Sequence, residues 1–146
     1  MHRITVLEDN FENDNKINWD FFLACQKLLV EQNFDWLKLM LDSKNKRLIG
    51  SGEVKIDQKK ISVILSYSPF NRIRYDRIYI IDQDIKYHRD IHLYPDKSLC
   101  LYHPKIDQPL LQKIPLVKMI PWITEWVIFY EQWKKYGVWL GREIKH

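Results

Sequence analysis

Cys100 offers the most obvious chemistry in this chain, because a thiolate can attack a carbonyl carbon, hold an acyl group and leave again. It belongs to the stretch Leu93-Tyr94-Pro95-Asp96-Lys97-Ser98-Leu99-Cys100-Leu101-Tyr102-His103-Pro104, where a turn-forming Pro-Asp-Lys-Ser run precedes a short apolar segment. The thiol therefore stands just beyond a turn. Two leucines flank it, a setting that equally suits an inert core cysteine, since cysteine outside disulfides is among the most buried residue types. Cys25 lies in an apolar helical pattern with Leu28 and Leu29 and reads as structural.

His88, His92 and His103 crowd the same region, with Tyr94, Asp96 and Tyr102 between them. Their spacing from Cys100 matches no common zinc pattern, so no metal site is expected. A Cys-His hydrolase stays open, with His103 drawing off the Cys100 proton. The glycines are Gly50, Gly52, Gly137 and Gly141, and none opens a phosphate-cradling loop, so neither ATP nor another cofactor is expected. Arg72, Arg74, Tyr75 and Arg77 could meet nucleic acid, but Asp76 and Asp82 interrupt the cluster, which fits a solvated strand edge better.

The elements that must position these residues follow from periodicity. From Trp19 to Val30, Phe21, Phe22, Ala24, Cys25, Leu28 and Leu29 recur at helical steps, leaving Asp20, Gln26 and Lys27 to water, so a first helix is predicted there. Phe34 to Leu41 fits either a strand or a helix. Leu48–Ile56 and Ile61–Tyr67, separated by Asp57 to Lys60, read as an antiparallel hairpin, and Ile78–Ile81 as a third strand after the turn residues Ser68 to Asn71. From Asp82 to Pro115 no period is sustained, and Pro95, Pro104, Pro109 and Pro115 punctuate a long loop of the kind that is often functional. Pro121 suits the first turn of a final helix, which carries Trp122, Ile123, Trp126, Phe129, Tyr130 and Trp133 and ends near Gly137. The order implies an α+β fold: N-terminal helix, antiparallel β-meander, active-site loop, C-terminal helix.

The chain of 146 residues has no compositional break and reads as one domain over 1–146. Two cysteines are too few for a disulfide framework, which fits a reducing compartment. The first fifteen residues carry Glu8, Asp9, Glu12 and Asp14 and lack the apolar core of a signal peptide, and no apolar run approaches a membrane span, so a cytoplasmic location is expected. The net charge of +4 comes from Lys and Arg interleaved with Asp and Glu.

The block His92-x-Tyr94-x-Asp96-x-x-Leu99-Cys100-Leu101-Tyr102 combines with Pro121-Trp122, Glu125-Trp126, Tyr130-Glu131, Trp133 and the tail Gly137-x-Trp139-x-Gly141, which ends near His146. Together they resemble the prokaryotic ubiquitin-conjugating-like proteins of type II CBASS antiphage operons. The resemblance covers most of the C-terminal half, and the helix and meander before it are compatible with a ubiquitin-conjugating fold. It implies that Cys100 holds the C-terminus of a cGAS-like nucleotidyltransferase as a thioester and passes it to a lysine or other amine in antiphage defence. The length fits the standalone form found in short operons, without a fused activating domain, so that adenylation is supplied elsewhere or obtained by a route the sequence does not disclose. Ubiquitin-conjugating enzymes carry a His-Pro-Asn signature before the cysteine, and its asparagine serves the oxyanion; counting back without gaps, His92 stands in that place and Lys97 replaces a turn glycine. The signature itself is missing from this chain, and His92, at the asparagine's ungapped position, is the candidate oxyanion donor through an imidazole N–H. Tyr94, Asp96, Tyr102 and His103 are possible supporting residues. No membrane and no nucleic acid are expected as partners. The alternatives are a catalytically inactive binding module of the same fold, which would usually lack the cysteine, and a basic nucleic-acid-binding module.

Overall fold

The computed structural model describes residues 16–69, 75–102 and 114–141. Helix α1 (Lys16–Asn33) leads into a sheet of β1 (Leu37–Asp42), β2 (Arg47–Ile56), β3 (Lys59–Tyr67) and β4 (Asp76–Ile81), and helix α2 (Leu116–Tyr136) follows the long connection. The strands lie in the order β1-β2-β3-β4, each antiparallel to the next, which bears out the α+β plan. The ambiguous segment is resolved as β1. Leu37 and Leu39 of β1, Val63, Leu65 and Tyr67 of β3, and Ile78 and Ile80 of β4 alternate into the core, while Met40, Ile64 and Ile81 face outward. Asp57, with φ 54°, and Gln58 make the tight turn between β2 and β3. At Gly52, opposite Leu37, a β-carbon would run into the carbonyl oxygen of Trp36, so only glycine lets the chain entering β1 pass this closely.

The first helix forms where expected, but with a different inner face. Trp19, Phe22, Leu23, Gln26 and Val30 are buried, whereas Phe21, Leu28 and Leu29 are exposed and Cys25 is half-buried. Gln26 goes inside because its amide oxygen accepts a hydrogen bond from the Val117 N–H at 3.1 Å, capping the first turn of α2. That contact also corrects the predicted start of α2: the helix begins at Leu116, and Pro121 lies inside it rather than in its first turn. Its end is as expected, with Gly137 left-handed at φ 73° and donating its N–H to the Trp133 carbonyl at 2.8 Å.

Asp82, at the end of β4, ties the sheet to α2 by accepting from Lys134 Nζ at 3.2 Å and Tyr130 OH at 3.3 Å. Partial burial alone pushes the Asp82 carboxyl up, but the Asp84 N–H, Lys134 and Tyr130 outweigh it and hold the group below its ordinary range. Each edge strand is tied at one position to chain outside the sheet. On β4 the Ile78 carbonyl accepts from the Leu99 N–H at 2.7 Å, and on β1 the Leu39 N–H donates to Glu31 Oε2 at 2.9 Å. That backbone bond, followed by the contact with Lys27, lowers the Glu31 pKa. Among the described residues, no helix is long and apolar enough to cross a membrane.

Candidate active site

A small hairpin beside β4 gathers most of the residues singled out in the sequence. Leu93 and Leu99 form an antiparallel bridge, Tyr94 N–H donates to the Ser98 carbonyl at 2.9 Å, and Lys97 N–H donates to the Tyr94 carbonyl at 2.8 Å. Pro95, Asp96 and Lys97 thus form a three-residue loop whose last member, Lys97, is left-handed at φ 71°. Asp96 fastens this loop. Its Oδ1 accepts from the Ser98 N–H at 2.9 Å and the Ser98 hydroxyl at 2.6 Å, and its Oδ2 accepts from Arg77 at 2.8 Å and the Tyr79 hydroxyl at 3.2 Å. Asp96 therefore anchors the turn to β4.

His92 and Cys100 face one another across the base of the hairpin, where the Cys100 N–H donates to the His92 carbonyl at 2.9 Å. A short 3-10 turn, Arg89–Ile91, delivers His92, which ends that turn in the left-handed region at φ 55° and ψ 56°. The imidazole is almost fully buried and packs on Trp139, with ring centroids 5.0 Å apart. Trp139 is held in turn by Phe129, and a β-carbon at Gly141 would strike the Phe129 ring, so the Gly-x-Trp-x-Gly tail lies down on α2. The indole N–H of Trp126 donates to the carbonyls of Ile91 at 3.0 Å and His92 at 3.2 Å.

Cys100 is only 2% exposed, and its thiol donates to the Tyr102 carbonyl at 3.4 Å. Only the protonated thiol can make that bond. Tyr102 is locked by its hydroxyl, which donates to Asp76 Oδ1 at 2.6 Å, and by stacking on Tyr75 at 6.0 Å. Burial, then the adjoining Asp76 carboxylate, pushes the Tyr102 phenol far above its ordinary range, so it remains a donor. Tyr67 and Tyr75 grip the returning chain at Ile114: the Tyr67 hydroxyl donates to its carbonyl at 2.9 Å, and its N–H donates to the Tyr75 hydroxyl at 2.8 Å.

Of the residues expected at the site, Cys100, His92, Tyr94, Asp96 and Tyr102 come together, while His103 lies outside the described residues. His88 stands apart, with its ring 5.1 Å from that of Trp133 and its Nδ1 accepting from the Asp90 N–H. No group of three potential metal ligands occurs among the described residues. Sequence reasoning missed Asp76 and Arg77, which sat inside an apparent charged strand edge, and the indole contact of Trp126. No spacing rule joins Asp76 to Tyr102 or Trp126 to Ile91 across so much chain. Tyr75 is buried, so the basic cluster cannot offer it to a base for stacking.

The sequence model of one protein family, described as Type II CBASS E2 protein, matches residues 26–146, a span that includes the hairpin, α2 and the tail. The chain belongs to this family. The four-stranded antiparallel sheet and two helices are compatible with an E2-like fold, and membership makes the chain a CBASS-associated, E2-like protein that works with other CBASS components. No curated protein and no solved structure matches the chain.

Proposed function

We propose that the chain is a cysteine acyltransferase that holds the C-terminal carboxyl group of a cGAS-like nucleotidyltransferase as a thioester on Cys100 and transfers it to an amine in antiphage defence. The observation that carries this reading is the cysteine itself, set at the base of a braced hairpin opposite His92 within the family-matched region. The carboxyl group has to arrive activated, because a free carboxylate is a poor acceptor for sulfur. Cys100 loses its thiol proton to base, its sulfur bonds to the acyl carbon, and the activating group leaves with the bonding electron pair. An amine nitrogen then attacks the thioester carbonyl, the C–S bond breaks, and the nitrogen loses a proton to base as the amide forms. We assign His92 to the oxyanion of that second step, with an imidazole N–H as donor. Loading also requires Cys100 to exchange its contact with Tyr102 for the carrier.

Burial of Cys100 favours a second reading, in which the fold only binds its partner. A non-reducing gel of the protein with its nucleotidyltransferase and the activating component separates the two. The enzyme reading expects a reductant-sensitive adduct that disappears in Cys100→Ala. An adduct that persists in that variant, or moves to Cys25, overturns the assignment. For His92, single-turnover discharge to an amine should slow by about 100-fold to 1,000-fold in His92→Ala while loading persists. Equal discharge in wild type, His92→Ala and His92→Gln removes the imidazole from the mechanism.

A further inference from the structure

Helix α2 touches the base of the hairpin through the polar edge of one buried side chain. The Trp126 indole N–H is shared between the Ile91 and His92 carbonyls, at 3.0 and 3.2 Å. The same His92 oxygen receives the Cys100 N–H at 2.9 Å, so both of its lone pairs are used. Trp126 also packs on Trp139, centroids 5.6 Å apart, and Trp139 supports the His92 ring. Between these contacts His92 holds a left-handed backbone conformation that residues with a β-carbon avoid and keep only when their surroundings impose it.

We propose that Trp126 is a positioning residue for the thioester site. Its indole N–H fixes the His92 peptide in the left-handed turn that presents the His92 carbonyl to the Cys100 amide, and so sets the place of Cys100 relative to His92. This rests on Cys100 being the nucleophile, which the experiment below tests separately. A packing role would need only the aromatic face, which stacks on Tyr130 at 5.1 Å and which phenylalanine can largely supply. The N–H is what phenylalanine lacks.

Trp126→Phe is therefore the informative change, read first by amide hydrogen exchange. The Cys100 amide should exchange at least about tenfold faster, while amides in β3 and the middle of α2 keep their protection. Adding His92→Gly, which adopts the left-handed turn without strain, should restore protection at Cys100. A residue that merely fills space offers no reason for that rescue. In single-turnover discharge of the pre-formed thioester, the step assigned to the His92 imidazole, Trp126→Phe should lower the maximal rate by about tenfold without changing the half-saturating amine concentration. Unchanged Cys100 exchange, protection lost equally across α2, or failure of His92→Gly to rescue would each overturn the proposal. If the wild-type protein forms no thioester, the nucleophile reading fails, and the exchange measurements still decide whether Trp126 positions Cys100.

Discussion

Removing the Tyr102 hydroxyl isolates one contact behind the candidate nucleophile. Tyr102→Phe keeps the ring on Tyr75 and the backbone carbonyl that receives the Cys100 thiol, and deletes only the donor 2.6 Å from Asp76. That distance is in the range of a hydroxyl bonded to an ionised carboxylate. Tyr102 is 2% exposed and Asp76 1%, so little water is at hand to replace the lost donor. A hydrogen bond to a charged group of this kind contributes about 1.5–3 kcal/mol, against about 0.5–1.5 for a neutral one. For a chain of this size that loss lowers Tm by roughly 3–12 °C. Tyr67→Phe is the internal control, because it deletes a neutral bond to the Ile114 carbonyl. Urea unfolding followed by tryptophan fluorescence should rank Tyr102→Phe clearly below Tyr67→Phe, with unchanged m-values. Equal losses in the two variants, or a loss in Tyr102→Phe below about 0.5 kcal/mol, would refute the inference that the hydroxyl supports a buried charge.

Trp126→Ala, unlike the phenylalanine variant, empties a core position that is 3% exposed and should cost about 3–5 kcal/mol in urea unfolding. Lys97→Gly should stabilise the chain by about 1 kcal/mol, because glycine occupies the left-handed loop position without strain; a lower Tm in this variant would contradict the loop geometry. Asp82 has a lowered pKa in the folded chain, so its contribution is fully present above its ordinary value near 3.8 and is lost as pH falls through the lower folded value. Asp82→Asn should therefore cost stability at about pH 7 and lose less than wild type on acidification through about pH 3, as measured by urea midpoints at both pH values.

The last three strands of the meander were legible because β-branched runs are separated by turns that carry Asp57-Gln58 and Ser68-Pro69, signals that act over a few residues, whereas β1 stayed open between strand and helix because Trp36, Leu37 and Met40 suit a helical face as well. The left-handed cap at Gly137 is equally local. Where the reading failed, a distant partner decided. Gln26 looked like a solvent residue on α1, but it is buried because α2 needs a cap. Pro121 looked like a helix start because α2 draws its first-turn support from Gln26 in α1. At the site, Cys100, His92, Tyr94, Asp96 and Tyr102 could be gathered from one continuous motif. The residues that brace them, Asp76, Arg77 and Trp126, lie far off in sequence, and only the packed fold brings them near.

The hydrogen bond from Leu39 to Glu31 has a consequence for how copies of this chain behave beside one another. An open strand edge is a template on which a second molecule can extend the sheet, and short charged guards are a common defence against such growth. Here the guard is a carboxylate from the neighbouring helix, and the opposite edge is already taken by Leu99. Crowded molecules are thus denied ready-made strand templates at these two positions, and any strand approaching either would have to displace a bond already in place before it could extend the sheet.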